Sequence, residues 1–154
     1  MTITIACEPP RQAAVIRLLE LSDIYASSLY PAESNHMLDL TSLEGDEVTF
    51  FVARHGETIV GCCALVDAGD GTAEIKRMFV DPDARGLKIG RKLLEILEDR
   101  ARDMGLRAIR LETGIRQPEA IGLYSKFGYG DIEPFGDYKP DPLSIFMEKR
   151  IAAA

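Results

Sequence analysis

The sequence has no tryptophan, only three cysteines and two histidines among 154 residues, and no long apolar run. Its apolar runs, such as Ile59–Val66, fall far short of the roughly 20 residues a membrane-spanning helix needs. Residues 1–10 lack the basic start and apolar stretch of a secretory leader, so a soluble, cytoplasmic protein with no membrane partner is expected. Three cysteines cannot pair completely, and Cys62 and Cys63 are neighbours in an apolar run; buried reduced thiols, Cys7 included, are expected rather than a disulfide framework. No two cysteines have metal-ligand spacing, and His36 and His55 stand near no cluster of cysteines or carboxylates, so no metal is expected. Without tryptophan, and without aromatic residues interleaved with basic ones, single-stranded nucleic acid lacks a stacking platform.

What is present is ordinary globular composition, 46% hydrophobic and 28% charged. A chain of 17.0 kDa can bury a proper core, and the sequence has no repeat, linker or low-complexity stretch; it reads as one α/β domain over residues 1–154. The net charge of -7 is unevenly spread. Residues 1–70 carry three bases against eleven acids, whereas residues 71–154 carry fifteen bases against fourteen acids. Lys76, Arg77, Arg85, Lys88, Arg91 and Lys92 crowd one stretch of the second half. Duplex nucleic acid would want a broad basic face instead. The pattern fits an anion held at one spot and a cationic partner steered by the acidic half.

Hydrophobic periodicity outlines the elements. Thr2–Ile5 alternates as a strand, and Pro10 opens a helical stretch with Ala14, Leu18, Leu21 and Tyr25 on one face. Residues 30–46 hold at most a short helix. Val48–Ala53 and Thr58–Val66 read as an antiparallel hairpin, followed by a turn at Ala68–Gly71 and a strand over Thr72–Val80. Ile89, Leu93, Leu94, Leu97, Ala101 and Met104 recur at helical spacing up to Gly105, a C-terminal cap. Leu106–Thr113 is a strand. Pro118, needing no backbone donor in a first turn, starts a helix that buries Ala120, Leu123, Tyr124 and Phe127 before Gly128 ends it. A loop over Pro134–Pro142 precedes a last strand at Leu143–Glu148, which as an edge strand near the tail could pair with a second copy in a homodimer.

Chemistry concentrates in the unit running from Glu74 to Arg91. Glycines at a strand-to-helix turn let the backbone approach a ligand, and the first helical amides point outward with no internal partner. With the helix dipole they suit a phosphate or pyrophosphate, and Arg85, Lys88 and Arg91 add full charge there. The Gly-Lys-Ser/Thr ending of a nucleotide-triphosphate loop and the three-glycine dinucleotide fingerprint are both absent.

Arg85-Gly86-Leu87-Lys88-Ile89-Gly90 resembles the acetyl-CoA loop of the GNAT superfamily of N-acetyltransferases, written Gln/Arg-x-x-Gly-x-Gly/Ala. The segment Gln117–Tyr129 resembles the family's Asn-x-x-Ala-x-x-x-Tyr-x-x-x-Gly-Phe helix, in the right order and at the right separation. The resemblance covers roughly residues 48–133. It implies the GNAT acyl-CoA N-acyltransferase fold, a mixed, mostly antiparallel central sheet flanked by helices. It also implies an enzyme that carries acetyl from acetyl-CoA, its cosubstrate, directly to an amine in a ternary complex. Met78, Phe79 and Val80 would bond the pantetheine arm, and the loop from Arg85 through Gly86, Leu87, Lys88 and Ile89 to Gly90, with Arg91, would hold the pyrophosphate. Tyr124 matches the tyrosine that protonates the leaving thiolate; on pattern alone it is equally a core tyrosine. Glu74, on the strand leading to the loop, matches a carboxylate that deprotonates the amine, with Glu112 as its rival. Lys88 replaces the family's middle glycine and is expected to take a right-handed conformation, and Gln117 replaces the common asparagine. A non-catalytic CoA-binding module, or an enzyme using a longer acyl-CoA, would carry the same motifs. The acidic first half, including Glu33, Asp39, Glu44, Asp46 and Glu47, favours a cationic amine, and the loop Pro134–Pro142, with Asp137 and Tyr138, could line its pocket.

Overall fold

The apolar, branched runs that begin at Val48 form the middle of a seven-stranded sheet in the computed structural model, which describes residues 2–34 and 37–151. Its strands are β1 (Ile3–Cys7), β2 (Val48–His55), β3 (Thr58–Asp67), β4 (Thr72–Val80), β5 (Ala108–Gly114), β6 (Gly130–Ile132) and β7 (Ser144–Arg150), in the order β1-β2-β3-β4-β5-β7-β6. Every adjacent pair is antiparallel except β4 and β5, which run parallel. Helices α1 (Ala13–Leu29), α2 (Leu40–Leu43), α3 (Ile89–Asp103) and α4 (Pro118–Lys126) complete the mixed, helix-flanked sheet that the motifs implied.

Successive residues of a strand face opposite ways, so an unbroken apolar run means burial on both faces. On one face Phe50, Val52, Cys62 and Ala64 meet Val15, Leu18 and Leu19 of α1; on the other Phe51, Cys63, Ile75 and Ile109 meet Leu93, Leu94, Leu97 and Ala101 of α3. Full burial of each such leucine stabilises the fold by roughly 1.5–3 kcal/mol.

Several expectations shift. The first helix begins at Ala13, and its buried stripe is Val15, Leu18 and Leu19, because i, i+3 and i+4 counted from Val15 point at the sheet; Ala14 and Tyr25 are exposed. Cys62 and Cys63 are buried, but Cys7 is exposed on edge strand β1. The described residues of 30–46 hold a single 3₁₀ turn (Ala32–Ser34) and the four-residue α2; His36 lies outside the described residues. The last strand is not an edge, since the three-residue β6, too short to stand out in sequence, pairs along its outer side.

Two features of β4 shape everything downstream. It pairs with β5 only from Thr72–Glu74 to Ala108–Arg110; thereafter β4 follows β3 as far as Val80 while β5 follows β7 to Gly114, so a cleft opens between them. On its other side, Cys62 pairs with Phe79 and Ala64 with Lys76, so Cys63 alone faces Arg77 and Met78. The extra residue is a bulge, and Arg77 adopts φ 55° to make it.

The loop after β4 also departs from expectation. Lys88, expected to be right-handed, is left-handed (φ 57°, ψ 36°), as is Gly86 (φ 86°). The loop demands the conformation that a glycine would supply at no steric cost, and lysine adopts it at a cost of roughly 1–2 kcal/mol. Lys88→Gly should therefore raise stability by up to about 1 kcal/mol in urea unfolding, while Lys88→Ala, with the same Cβ, should not. A loss of stability on Lys88→Gly would contradict a strained residue at this position.

Candidate active site

The opening between β4 and β5 leads into two adjoining cavities. The larger, of about 1280 Å³, is walled by Met78, Phe79 and Val80 of β4, by the loop after it, and by Pro118, Ala120 and Leu123 of α4. Five cations line it (Arg85, Lys88, Arg91, Lys126, Lys149) against the carboxylates of Glu95, Glu98 and Glu119. The first intrahelical bond of α3 runs from Lys92 N to Lys88 O (3.1 Å), so the amides of Ile89, Gly90 and Arg91 have no partner within the helix. Arg85 stands 4.0 Å from Glu119, and Arg91 3.0 Å from Glu95, pairs so exposed that an anion competes for them readily. The side chains of Leu87 and Ile89 turn into the core, so these two residues can reach an anion only through their backbone. Gly86 has open space where a Cβ would sit, whereas a Cβ on Gly90 would lie 3.2 Å from Leu123 Cδ2: Gly90 sets the close approach of α3 to α4. Basic side chains, free amides and an apolar wall fit a ligand with a diphosphate at one end and an uncharged arm at the other, as coenzyme A has.

The smaller cavity has a volume of about 190 Å³. Tyr25, Met78, Phe79, Gln117, Ala120 and Leu123 line both, so the two adjoin along this shared wall. Tyr124 is at its base, only 6% exposed. Burial pushes its phenol above the ordinary value of 10, and the neighbouring Cys63 thiol adds in the same direction. Its ring meets that of Tyr129 edge-on, with centroids 5.7 Å apart. Tyr129 donates to buried Glu98 (2.9 Å), which also accepts from Lys149 (2.8 Å), so a satisfied polar network backs the catalytic-site candidate.

The two candidate carboxylates separate. Glu112 lines the same cleft as Tyr124 and accepts a hydrogen bond from Ser144 Oγ (2.8 Å). Glu74 does not line it. Its carboxylate accepts from Tyr138 OH (2.5 Å) and pairs with Lys76 (3.3 Å), bordering a separate cavity with Arg110, Phe135 and Asp137. The cause is register: Glu74 lies inside the short parallel pairing of β4 with β5, where the strands have not yet parted, whereas Glu112 lies beyond it.

Sequence reasoning missed the cleft's other wall. Tyr30, at the end of α1, accepts from Arg116 N (3.0 Å) and donates to Gln117 Oε1 (3.3 Å), which also accepts from Gly114 N (3.3 Å). A Cβ on Gly114 would fall 1.9 Å from the Tyr30 hydroxyl, so only glycine lets α1 close on β5 here. Gln117, the departure from the family's asparagine, makes this junction rather than capping α4. The loop Pro134–Pro142 lines mainly the neighbouring cavity, through Phe135, Asp137 and Tyr138. The acids expected to steer a cation lie elsewhere: Asp39 caps α2, Glu44 pairs with Arg11, and neither lines the cleft.

Known proteins agree with this geometry. The sequence signature of the Acetyltransferase (GNAT) family matches residues 16–129. An IAA acetyltransferase of Azospirillum brasilense is 55% identical over 148 residues, 96% of this chain and 97% of that one. A Klebsiella pneumoniae chain assigned as an acyl-CoA N-acyltransferase superposes with TM-score 0.85 at 39% identity, covering 97% of each chain. The PaiA N-acetyltransferase of Thermoplasma acidophilum, solved with coenzyme A, shares the fold at TM-score 0.77 and 19% identity, over 98% of this chain and all of that one. With both family motifs on the walls of one bifurcated cleft, the chain belongs to the GNAT family and is an acetyl-CoA-dependent N-acetyltransferase.

Proposed function

We propose that this enzyme transfers an acetyl group to a primary amine bound in the inner cleft, by direct attack within a ternary complex, with Tyr124 as acid and Glu112 as base. The observation that carries the proposal is that Tyr124 and Glu112 line one cleft that adjoins, along Met78 and Phe79, the basic groove. Bound acetyl-CoA supplies an acetyl thioester, and holding it beside the amine removes much of the entropic barrier.

Each residue then has a task. The free amides of Ile89, Gly90 and Arg91, with Arg85 and Lys88, hold the diphosphate, and Met78, Phe79 and Val80 align the pantetheine arm. The bulge at Arg77 and Met78 takes main-chain groups out of register with β3, and a β4 amide turned to the cleft would bond the oxygen on which charge gathers. Glu112, oriented by Ser144, removes the ammonium proton directly or through one water, because only the neutral amine attacks. Tyr124 donates its phenolic hydrogen toward the leaving sulfur.

Glu74, the first choice from sequence, is here a structural partner of Tyr138 and Lys76. Lys88 suggested a non-catalytic module, but its left-handed backbone preserves the loop that a glycine would give, which removes that reason. The name of the Azospirillum brasilense relative makes IAA a compound to include among the acceptors screened.

Thiol release with acetyl-CoA and an amine panel tests the assignment. Tyr124→Phe should lower kcat about 10²-fold with little change in KM for acetyl-CoA. Because the phenol is raised above 10, it should impose no alkaline limb below about pH 10. Glu112→Gln should abolish the acidic limb of the pH–rate profile and lower the rate about 10²–10⁴-fold, whereas Glu74→Gln should leave the limb in place. The reverse pattern would return the base to Glu74.

A further inference from the structure

Among the described residues, two cations, Lys76 and Arg77, line the inner cleft, against one carboxylate, Glu112. Both are held from outside it. Lys76 is fixed by Glu74 (3.3 Å) and the hydroxyl of Tyr138, with its ammonium 4.9 Å from the Tyr138 ring centre. Arg77 gives Nη1 to Asp23 (2.8 Å) and Nη2 to the carbonyl of Leu19 (3.1 Å), both on α1. Neither Glu74 nor Asp23 lines the cleft, so each cation is ion-paired by a carboxylate outside it.

Arg77 carries a second signal. Its side chain is 3% exposed, and its Nε is the one buried side-chain nitrogen or oxygen without a hydrogen-bond partner among the described residues. A guanidinium N–H buried without an acceptor is costly, and such orphans call for a ligand or water oxygen. The bulge that forces Arg77 to φ 55° keeps this residue at the cleft, beside the backbone assigned to the reacting carbonyl.

We propose that Lys76 and Arg77 form an anion subsite that binds a carboxylate on the acceptor, so that the preferred substrates are amino acids rather than simple amines. This rests on the reading of the inner cleft as the acceptor site. The acceptor's ammonium faces Glu112 and its carboxylate faces Lys76 and Arg77 Nε, a polarity that matches a zwitterion and rejects a diamine. A cleft of about 190 Å³ suits the small, planar carboxylate better than a bulkier anion. The tightly partnered ends of both cations fix their positions, so little side-chain freedom is lost when the carboxylate binds.

The test compares the common amino acids with their decarboxylated amines, phenylalanine with phenethylamine for instance, and with the amino acid amides, by thiol release at saturating acetyl-CoA. For the best acceptor, kcat/KM should exceed that of its decarboxylated counterpart by at least about tenfold, as expected of a charge-assisted hydrogen bond. Lys76→Gln should erase the preference by raising KM for the acid alone, Lys76→Arg should restore it, and Arg77→Lys should weaken it. Retention of the preference in Lys76→Gln, or turnover of the decarboxylated amines equal to or faster than that of the acids, would overturn the anion subsite and leave amine acetylation standing. No thiol release from any amine, with coenzyme A still bound in calorimetry, would overturn the transfer reading and this proposal with it.

Discussion

The parting of β4 from β5 is the constraint on which the rest of the structure depends. Two parallel strands would ordinarily go on pairing, and unpaired backbone inside a protein is costly. Here each strand keeps the partner on its far edge, β3 for one and β7 for the other, so each half of the sheet holds together while the facing edges part and leave main-chain groups turned to a cleft. The cleft receives α4 on one flank and the end of α1 on the other, and both family motifs end at its walls. Function follows from this division of hydrogen bonds more than from any single side chain.

Holding the cleft in shape stores strain at two points. Arg77 and Lys88 both adopt the left-handed conformation without being glycine, and each lines a cavity, Arg77 the inner one and Lys88 the basic groove. Such residues persist only when their surroundings over-determine them. Arg77 is tied to α1 through Asp23 and Leu19, and Lys88 is followed at once by Ile89, which is anchored in the core. The stability supplied by the two leucine-rich faces of the sheet offsets these local costs.

Much of this was legible beforehand because it is written in local patterns. The branched, apolar run of β3, the helical spacing from Ile89 to Ala101 and the stop at Gly128 predicted their elements to within a residue or two, and the two motifs pointed to the groove and Tyr124. What remained hidden depends on contacts far apart in sequence. Nothing near Glu74 says that its carboxylate meets Tyr138, 64 residues on. The position of Glu112 beyond the parting point is a matter of register, and the seat of Tyr30 against Gly114 needs both ends of the chain region to be in place. The face of α1 was misjudged for a related reason: Leu21 and Tyr25 fit an apolar stripe but serve the cavities rather than the core. Charge transferred in part: Arg85, Lys88 and Arg91 line the groove, whereas the acids of the first half lie outside the cleft.

The central claim is that the cleft between β4 and β5 and the free amides at the start of α3 together receive coenzyme A. Amide hydrogen exchange with and without coenzyme A tests this most directly, because the proposed contacts are with backbone groups. Added coenzyme A should slow exchange over Arg77–Val80 and over Ile89–Arg91 together, by an amount that grows with ligand occupancy. Unchanged exchange in both segments under conditions where calorimetry reports binding would contradict the account.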